Sequence, residues 1–143
     1  MNGWLLDTNV LSELRRPKPD QAVVQFVSRL PFHLLYVSVV TFAEIRFGIE
    51  ILKDARQRMA LTDWMVNQAR PMFENRVLEI TEDILLTWRL LIEKGRKNGH
   101  TFSQADLMIA ATAARHGLTV VSRDTTEFEH ANVPVLNPWK SLQ

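Results

Sequence analysis

Apolar and polar positions along the chain switch repeatedly between a strand period and a helix period. Gly3-Trp4-Leu5-Leu6 is a short apolar run that reads as a buried strand. It ends in Asp7-Thr8-Asn9, side chains suited to capping free backbone N–H groups at a helix start. The helix that follows is predicted to reach about Arg16, where Pro17 and Pro19 stop it. Asp20 caps a second helix with Val23, Val24, Phe26, Val27 and Leu30 as its apolar side, closed by Pro31. Leu34-Leu35-Tyr36-Val37-Ser38 is the second strand. Over residues 40–52 the period turns helical, with Phe42, Ile45, Ile49 and Leu52 on one side. Residues 54–73 read as one further helix carrying Met59, Leu61, Trp64, Met65 and Val66, with Pro71 near its end.

The alternation continues to the C-terminus. Arg76-Val77-Leu78-Glu79-Ile80 is a third strand, Thr81 caps a helix to about Lys97, and Asn98-Gly99 is a turn. Residues 103–116 form a helix ended by Gly117, and Leu118-Thr119-Val120-Val121-Ser122 is the fourth strand. Val133-Pro134-Val135-Leu136 is a short edge strand, because proline donates no ladder hydrogen bond. Strands alternating with helices predict an α/β fold, a three-layer α/β/α sandwich around a central parallel sheet. No internal repeat, low-complexity tract or linker interrupts the pattern, so a single domain is expected over residues 1–143.

Composition narrows the chemistry more than the fold. Hydrophobic residues make up 46% of the chain, enough for a core without disulfides, and the absence of cysteine excludes thiolate metal sites and thiol nucleophiles. The start Met1-Asn2-Gly3-Trp4-Leu5-Leu6-Asp7 lacks a basic flank and meets a carboxylate too early for a signal peptide. The apolar runs are far shorter than a membrane span, so a soluble, cytoplasmic protein with no membrane partner is expected. The net charge of +1 hides a possible separation. If several acids gather at one site, the remaining surface carries an excess of Lys and Arg and favours an anionic partner.

The candidate acids are Asp7, Glu44, Asp106 and Asp124. In open α/β sheets ligands bind at the C-terminal ends of the strands, where Asp7 and Asp124 fall. Each alone also reads as an ordinary turn or cap residue. Glu44 shares a helical stripe with Val40, Phe47, Gly48 and Ile51, and Asp106 lines up with Ile109, Ala110 and Ala113. Both are therefore expected to face inward, where a lone carboxylate needs a proton or a partner. A long-range basic partner is one answer and convergence on a cation is the other. Two carboxylates ~4 Å apart repel by about 4 kcal/mol at an effective dielectric near 20. An all-oxygen site selects a hard divalent ion, Mg²⁺ or Mn²⁺. His33, His100, His116 and His130 show no zinc-type pairing and read as surface or turn residues.

Leu5-Leu6-Asp7-Thr8-Asn9, Ser38 to Glu44, Ala105 to Ala113 and Val121-Ser122-Arg123-Asp124 resemble, in order and spacing, the four motifs of PIN-domain ribonucleases. The likeness is to the VapC and FitB-type toxins of toxin–antitoxin modules, and Asn137-Pro138-Trp139 is similar to the FitB-type end. The resemblance implies sheet order 3-2-1-4-5, a homodimer, an antitoxin of the VapB or FitA kind, and Mg²⁺- or Mn²⁺-dependent hydrolysis of RNA phosphodiesters. It implies that Asp7 and Asp106 are the main metal ligands, that Asp124 and Glu44 complete the set, and that Glu44 or Asp124 orients the attacking water. It gives Thr8 and Asn9 a supporting role beside the first acid; helix capping is the plainer role for Thr8. Arg123 and Arg46 are candidate phosphate contacts. The Lys94-Gly95-Arg96-Lys97 run reads first as a solvated helix end. The Met59–Trp64–Met65 stripe and Trp88 suit a core, a dimer surface or an antitoxin groove. Two rivals stand beside this reading. One is a receiver-like phosphoacceptor domain, which lacks its paired acids and late lysine here. The other is a catalytically silent PIN-like partner acting through an antitoxin–DNA complex.

Overall fold

The computed structural model describes residues 3–140; Met1 and Asn2 of the predicted start, and positions 141–143 of the predicted domain, lie outside the described residues. Five short strands form one parallel sheet in the order β3-β2-β1-β4-β5. They are β1 Trp4–Leu6, β2 Leu35–Ser38, β3 Val77–Leu78, β4 Thr119–Val121 and β5 Val135–Leu136. Leu5 pairs with Tyr36 on one side and Val120 on the other, so β1 lies at the centre. The helices are α1 Thr8–Leu14, α2 Gln21–Arg29, α3 Val39–Glu50, α4 Ala55–Trp64, α5 Arg70–Met72, α6 Glu82–Lys97, α7 Gln104–His116 and α8 Thr125–His130.

Successive strand residues point to opposite faces, and the two faces bury different cores. Leu6, Leu35, Val37 and Val121 pack with Val10, Leu11, Val23, Val27, Phe42, Ile49, Met65 and Phe73, so α1 to α5 cover one face. Leu5 and Val120 pack with Leu107, Ile109, Ala110, Ala113 and Phe128, so α7 and α8 cover the other, with α6 packed along α7. This is the expected three-layer sandwich. The near-continuous apolar character of β1 and β4 follows from burial on both sides.

The predicted caps are present. Asp20, Ser103 and Thr81 accept from backbone N–H groups at the starts of α2, α7 and α6. Gly117 ends α7 with φ of 66°, a left-handed conformation that favours glycine. Three elements differ from expectation. A single turn of 3₁₀ helix, Phe32–Leu34, precedes β2. Residues 54–73 are not one regular helix: α4 passes into a π-helical turn over Met65–Ala69, with the Arg70 N–H donating to the Met65 carbonyl, before α5. Pro71 has no N–H to continue an α-helical ladder and its ring crowds the carbonyl four residues earlier, so the wider turn precedes it. Finally, α8 was unforeseen; Asp124 takes its N-cap position and Phe128 is its buried anchor.

Among the described residues no helix is long and apolar enough to cross a membrane. Phe128, fully buried beneath the β4–β5 connection, is the residue that fixes α8. Truncation by Phe128→Ala should destabilise the fold by roughly 3–5 kcal/mol in urea unfolding, as expected for removal of a buried aromatic.

Candidate metal centre

The C-terminal edge of the sheet gathers the acidic residues through three different local devices. Asp7 follows β1 and remains in the ladder, its N–H donating to the Val121 carbonyl at 3.0 Å. Its carboxylate is buried and doubly held: Oδ1 accepts from the Thr8 N–H at 2.8 Å and Oδ2 from the Ser122 hydroxyl at 2.7 Å. The capping role and the site role of Asp7 therefore coexist in one carboxylate. Asp124 occupies the N-cap position of α8 but makes no capping bond with its side chain. Its N–H donates to the Ser122 hydroxyl at 3.0 Å, which leaves the carboxylate free to approach Asp106. Asp106 sits in the first turn of α7, half-buried, on the same side as the fully buried Ile109 and Ala113.

Glu44 corrects one inference from the pattern. The stripe it shares with Phe47 and Ile51 faces solvent: Phe47 is 65% and Ile51 62% exposed, and Glu44 is itself exposed. The opposite stripe of α3, with Phe42, Ile45 and Ile49, supplies the core contacts. An apolar neighbourhood on a helix thus did not mean burial here. Glu44 nevertheless reaches the cleft, where its Oε1 accepts from the Thr8 hydroxyl at 2.8 Å.

The electrostatics record the crowding. Burial pushes the Asp7 carboxyl above its ordinary value, against the lowering effect of its bonds from Ser122 and Thr8, and the charges of Glu44 and Asp124 push it further. The Asp106 carboxyl is raised to about 7, first by desolvation, then by the charges of Asp7 and Asp124 and by a shared-proton contact with Asp124. Glu44 and Asp124 thus act on Asp7, and Asp7 and Asp124 act on Asp106, so the four acids lie in one neighbourhood. They are not closed into a ligand cage: among the described residues no three acidic or histidine side chains stand ready-placed around a common ion position. The donor set is all oxygen and holds more negative charge than it can carry unprotonated without penalty. Chemically it fits a hard divalent cation.

The sequence places Ser122 in a motif without showing a role for it. It is fully buried, and its hydroxyl joins Asp7, Asn9 and Asp124. Asn9 donates to that hydroxyl at 3.1 Å and accepts from the Arg123 N–H at 3.2 Å, so it pins the β4 turn rather than a carboxylate. Asp7, Glu44 and Asp106 open into a cleft of about 690 Å³ lined also by Ser12, Arg15, Arg16, Arg123 and Trp139. Arg46 is exposed on α3 and is not among the cleft residues. Arg15, Arg16 and Trp139 were not identified from sequence as cleft residues. Arginines at a helix end look like dipole partners, and only the fold brings the chain's last tryptophan beside Arg123. Met65 is core whereas Met59 is 73% exposed, so that stripe divides between core and surface.

Asp106 supplies a test that needs no substrate. Its folded-state value lies above the 3.8 of an ordinary Asp, so the fold favours the protonated form. Stability from this group is present at low pH and is lost as pH rises through about 7. Allowing for solvent screening at a half-exposed group, the loss is on the order of 1–2 kcal/mol. Asp106→Asn should therefore raise the melting temperature of the metal-free protein by about 3–6 °C at pH 8 and leave it nearly unchanged at pH 4.

The comparisons agree with this geometry. The sequence pattern of the PIN domain family matches residues 4–133. Toxin FitB of Neisseria gonorrhoeae is 37% identical over 94% of this chain and 97% of its own length. VapC ribonuclease Y4jK of Sinorhizobium fredii is 35% identical over 95% and 97%. The structure of FitAB bound to an IR36 DNA fragment superposes with a TM-score of 0.91 at 36% identity, covering 98% of both chains. The chain is a member of the PIN-domain family, among its FitB- and VapC-like branch.

Proposed function

We propose that the protein is a divalent-metal-dependent endoribonuclease and the toxin of a toxin–antitoxin pair. The observation that carries this reading is the carboxylate cluster at the C-terminal edge of β1 and β4, with Asp106 raised to about 7, opening into a cleft rimmed by arginines. Acids so placed resist ionisation together and gain by taking up Mg²⁺ or Mn²⁺. The resemblance in name to a VapC ribonuclease supports RNA as the substrate. Asp7, Asp106 and Asp124 would hold the metal, with Glu44 completing the set directly or through water. When bound, the ion supplies charge neutralisation at the scissile phosphate and lowers the pKa of water.

The chain's own residues do the rest. The Ser122 hydroxyl fixes the Asp7 carboxylate and the Asp124 backbone in one register, and Asn9 holds the adjoining turn. Glu44, held by a single bond from Thr8 and facing the cleft, is placed to orient a water and accept its proton. Arg123, at the rim, binds phosphate.

Two surfaces fit the expected partners. Exposed Met59 and Val66 line a groove of about 740 Å³ with Arg58, Glu50 and Asp63, suited to an antitoxin of the FitA or VapB kind. Phe47 and Ile51, exposed beside Glu44, suit a second copy of the chain.

The test is cleavage of structured RNAs by the purified, antitoxin-free protein with Mg²⁺ or Mn²⁺. EDTA should abolish cleavage, and Asp7→Asn and Asp106→Asn should each lower kcat/KM at least about 100-fold, more than loss of an outer-sphere contact does. Cleavage that persists in EDTA or in both variants overturns the reading. Induced expression should arrest growth, and co-expression of the antitoxin should restore it.

A further inference from the structure

Opposite the acids, the cleft carries a second device built from Arg123 and Trp139. Arg123 follows Ser122, and its backbone is tied to Asn9 at 3.2 Å, so its Cα cannot drift from the site. Its guanidinium lies over the Trp139 ring, 4.9 Å from the centroid. Trp139 is itself anchored: its N–H donates to the Asn137 side chain at 2.9 Å, Pro138 before it is buried, and the indole packs against the core that includes Leu6 and Val121. The ring is only half-buried and lines the same cleft as Asp7, Glu44 and Asp106.

The guanidinium meets the indole as a cation over a ring, and among the described residues its N–H donors make no hydrogen bond. Among the described residues no carboxylate lies within ion-pair distance of Arg123 or Arg15, whereas Arg16 is already paired with Glu13 at 3.2 Å. Arg123 and Arg15 are thus the uncompensated cations of the cleft. An exposed tryptophan edge beside a pre-oriented arginine is matched by one ligand fragment, a nucleotide. It offers a flat ring to stack and a phosphate to pair.

We propose that Trp139 and Arg123 form a nucleotide subsite next to the cut. In it a base of the RNA packs on the exposed surface of the Arg123–Trp139 pair and the guanidinium binds that nucleotide's phosphate, with Arg15 meeting the backbone across the cleft. The proposal rests on the nuclease reading and adds the element that selects where along the RNA the scissile phosphate is seated. Arg123 supplies affinity without sequence information, and Trp139 supplies a preference for large, strongly stacking bases.

Two measurements on the full chain separate this subsite from the metal chemistry. The first is anisotropy of a fluorescein-labelled, single-stranded oligoribonucleotide of mixed sequence, without metal. The second is steady-state cleavage of the same RNA with Mn²⁺. Trp139→Ala should weaken binding and raise KM about 10-fold with kcat nearly unchanged, and Trp139→Phe should recover most of the loss. Arg123→Ala should weaken binding of all sequences alike and reduce the dependence of log Kd on log salt by about 1. Thermal melts show whether Trp139→Ala has unfolded the chain, and Arg123→Ala tests the subsite if it has. Unchanged KM and Kd in Arg123→Ala, or in a folded Trp139→Ala, overturns the subsite while leaving the nuclease standing. RNA binding that depends on Trp139 in a protein that cleaves nothing overturns the nuclease and leaves the subsite standing. A wild-type chain that neither binds nor cleaves RNA overturns both.

Discussion

Mutual repulsion among carboxylates governs the architecture of this molecule's functional edge. Asp7, Asp106 and Asp124 are brought together at the C-terminal ends of β1 and β4, where the charges of Asp7 and Asp124 oppose ionisation of Asp106 and that of Asp124 opposes ionisation of Asp7. A fold tolerates this only with compensating donors or a proton. The Ser122 hydroxyl and Thr8 N–H serve Asp7, and a retained proton serves the Asp106–Asp124 contact. The rigid parts follow from that requirement. The central strand is buried on both faces, the Ser122 hydroxyl has three partners, and Asn9 straps the β4 turn to α1.

The same constraint separates the cleft into two electrical halves. The acids hold its floor, and arginines from the end of α1 and from the turn after β4 hold its rim. An anionic polymer is drawn to the rim and repelled from the floor until a cation intervenes. On the proposed reading, substrate binding and metal binding would therefore be coupled through charge, although they use different side chains.

Much of this was legible in the order of residues, and the failures have physical causes. The alternation of strand and helix periods located every strand and most helices, because the sheet is buried on both faces and each cap uses a short polar side chain. The helix α8 was missed since its six residues carry one buried anchor, too few to show a period. The π turn was missed since a widened turn leaves no apolar signature. Asp106 was read correctly from its apolar stripe. Glu44 was misjudged by the same rule, because helix faces can be apolar for a partner as well as for the core. Arg15, Arg16 and Trp139 join the cleft only through tertiary folding. Membership of the PIN-domain family rested on four motifs in order, which no single residue could have supported.

The central claim is that the cluster exchanges a proton for a divalent cation. Calorimetric titration of the protein with Mg²⁺, repeated in buffers of different ionisation enthalpy, measures that exchange directly. With Asp106 raised to about 7, binding at pH 6 should release close to one proton, and the release should fall toward zero by pH 8.5. Binding without proton release at pH 6, or no binding at either pH, would contradict the account.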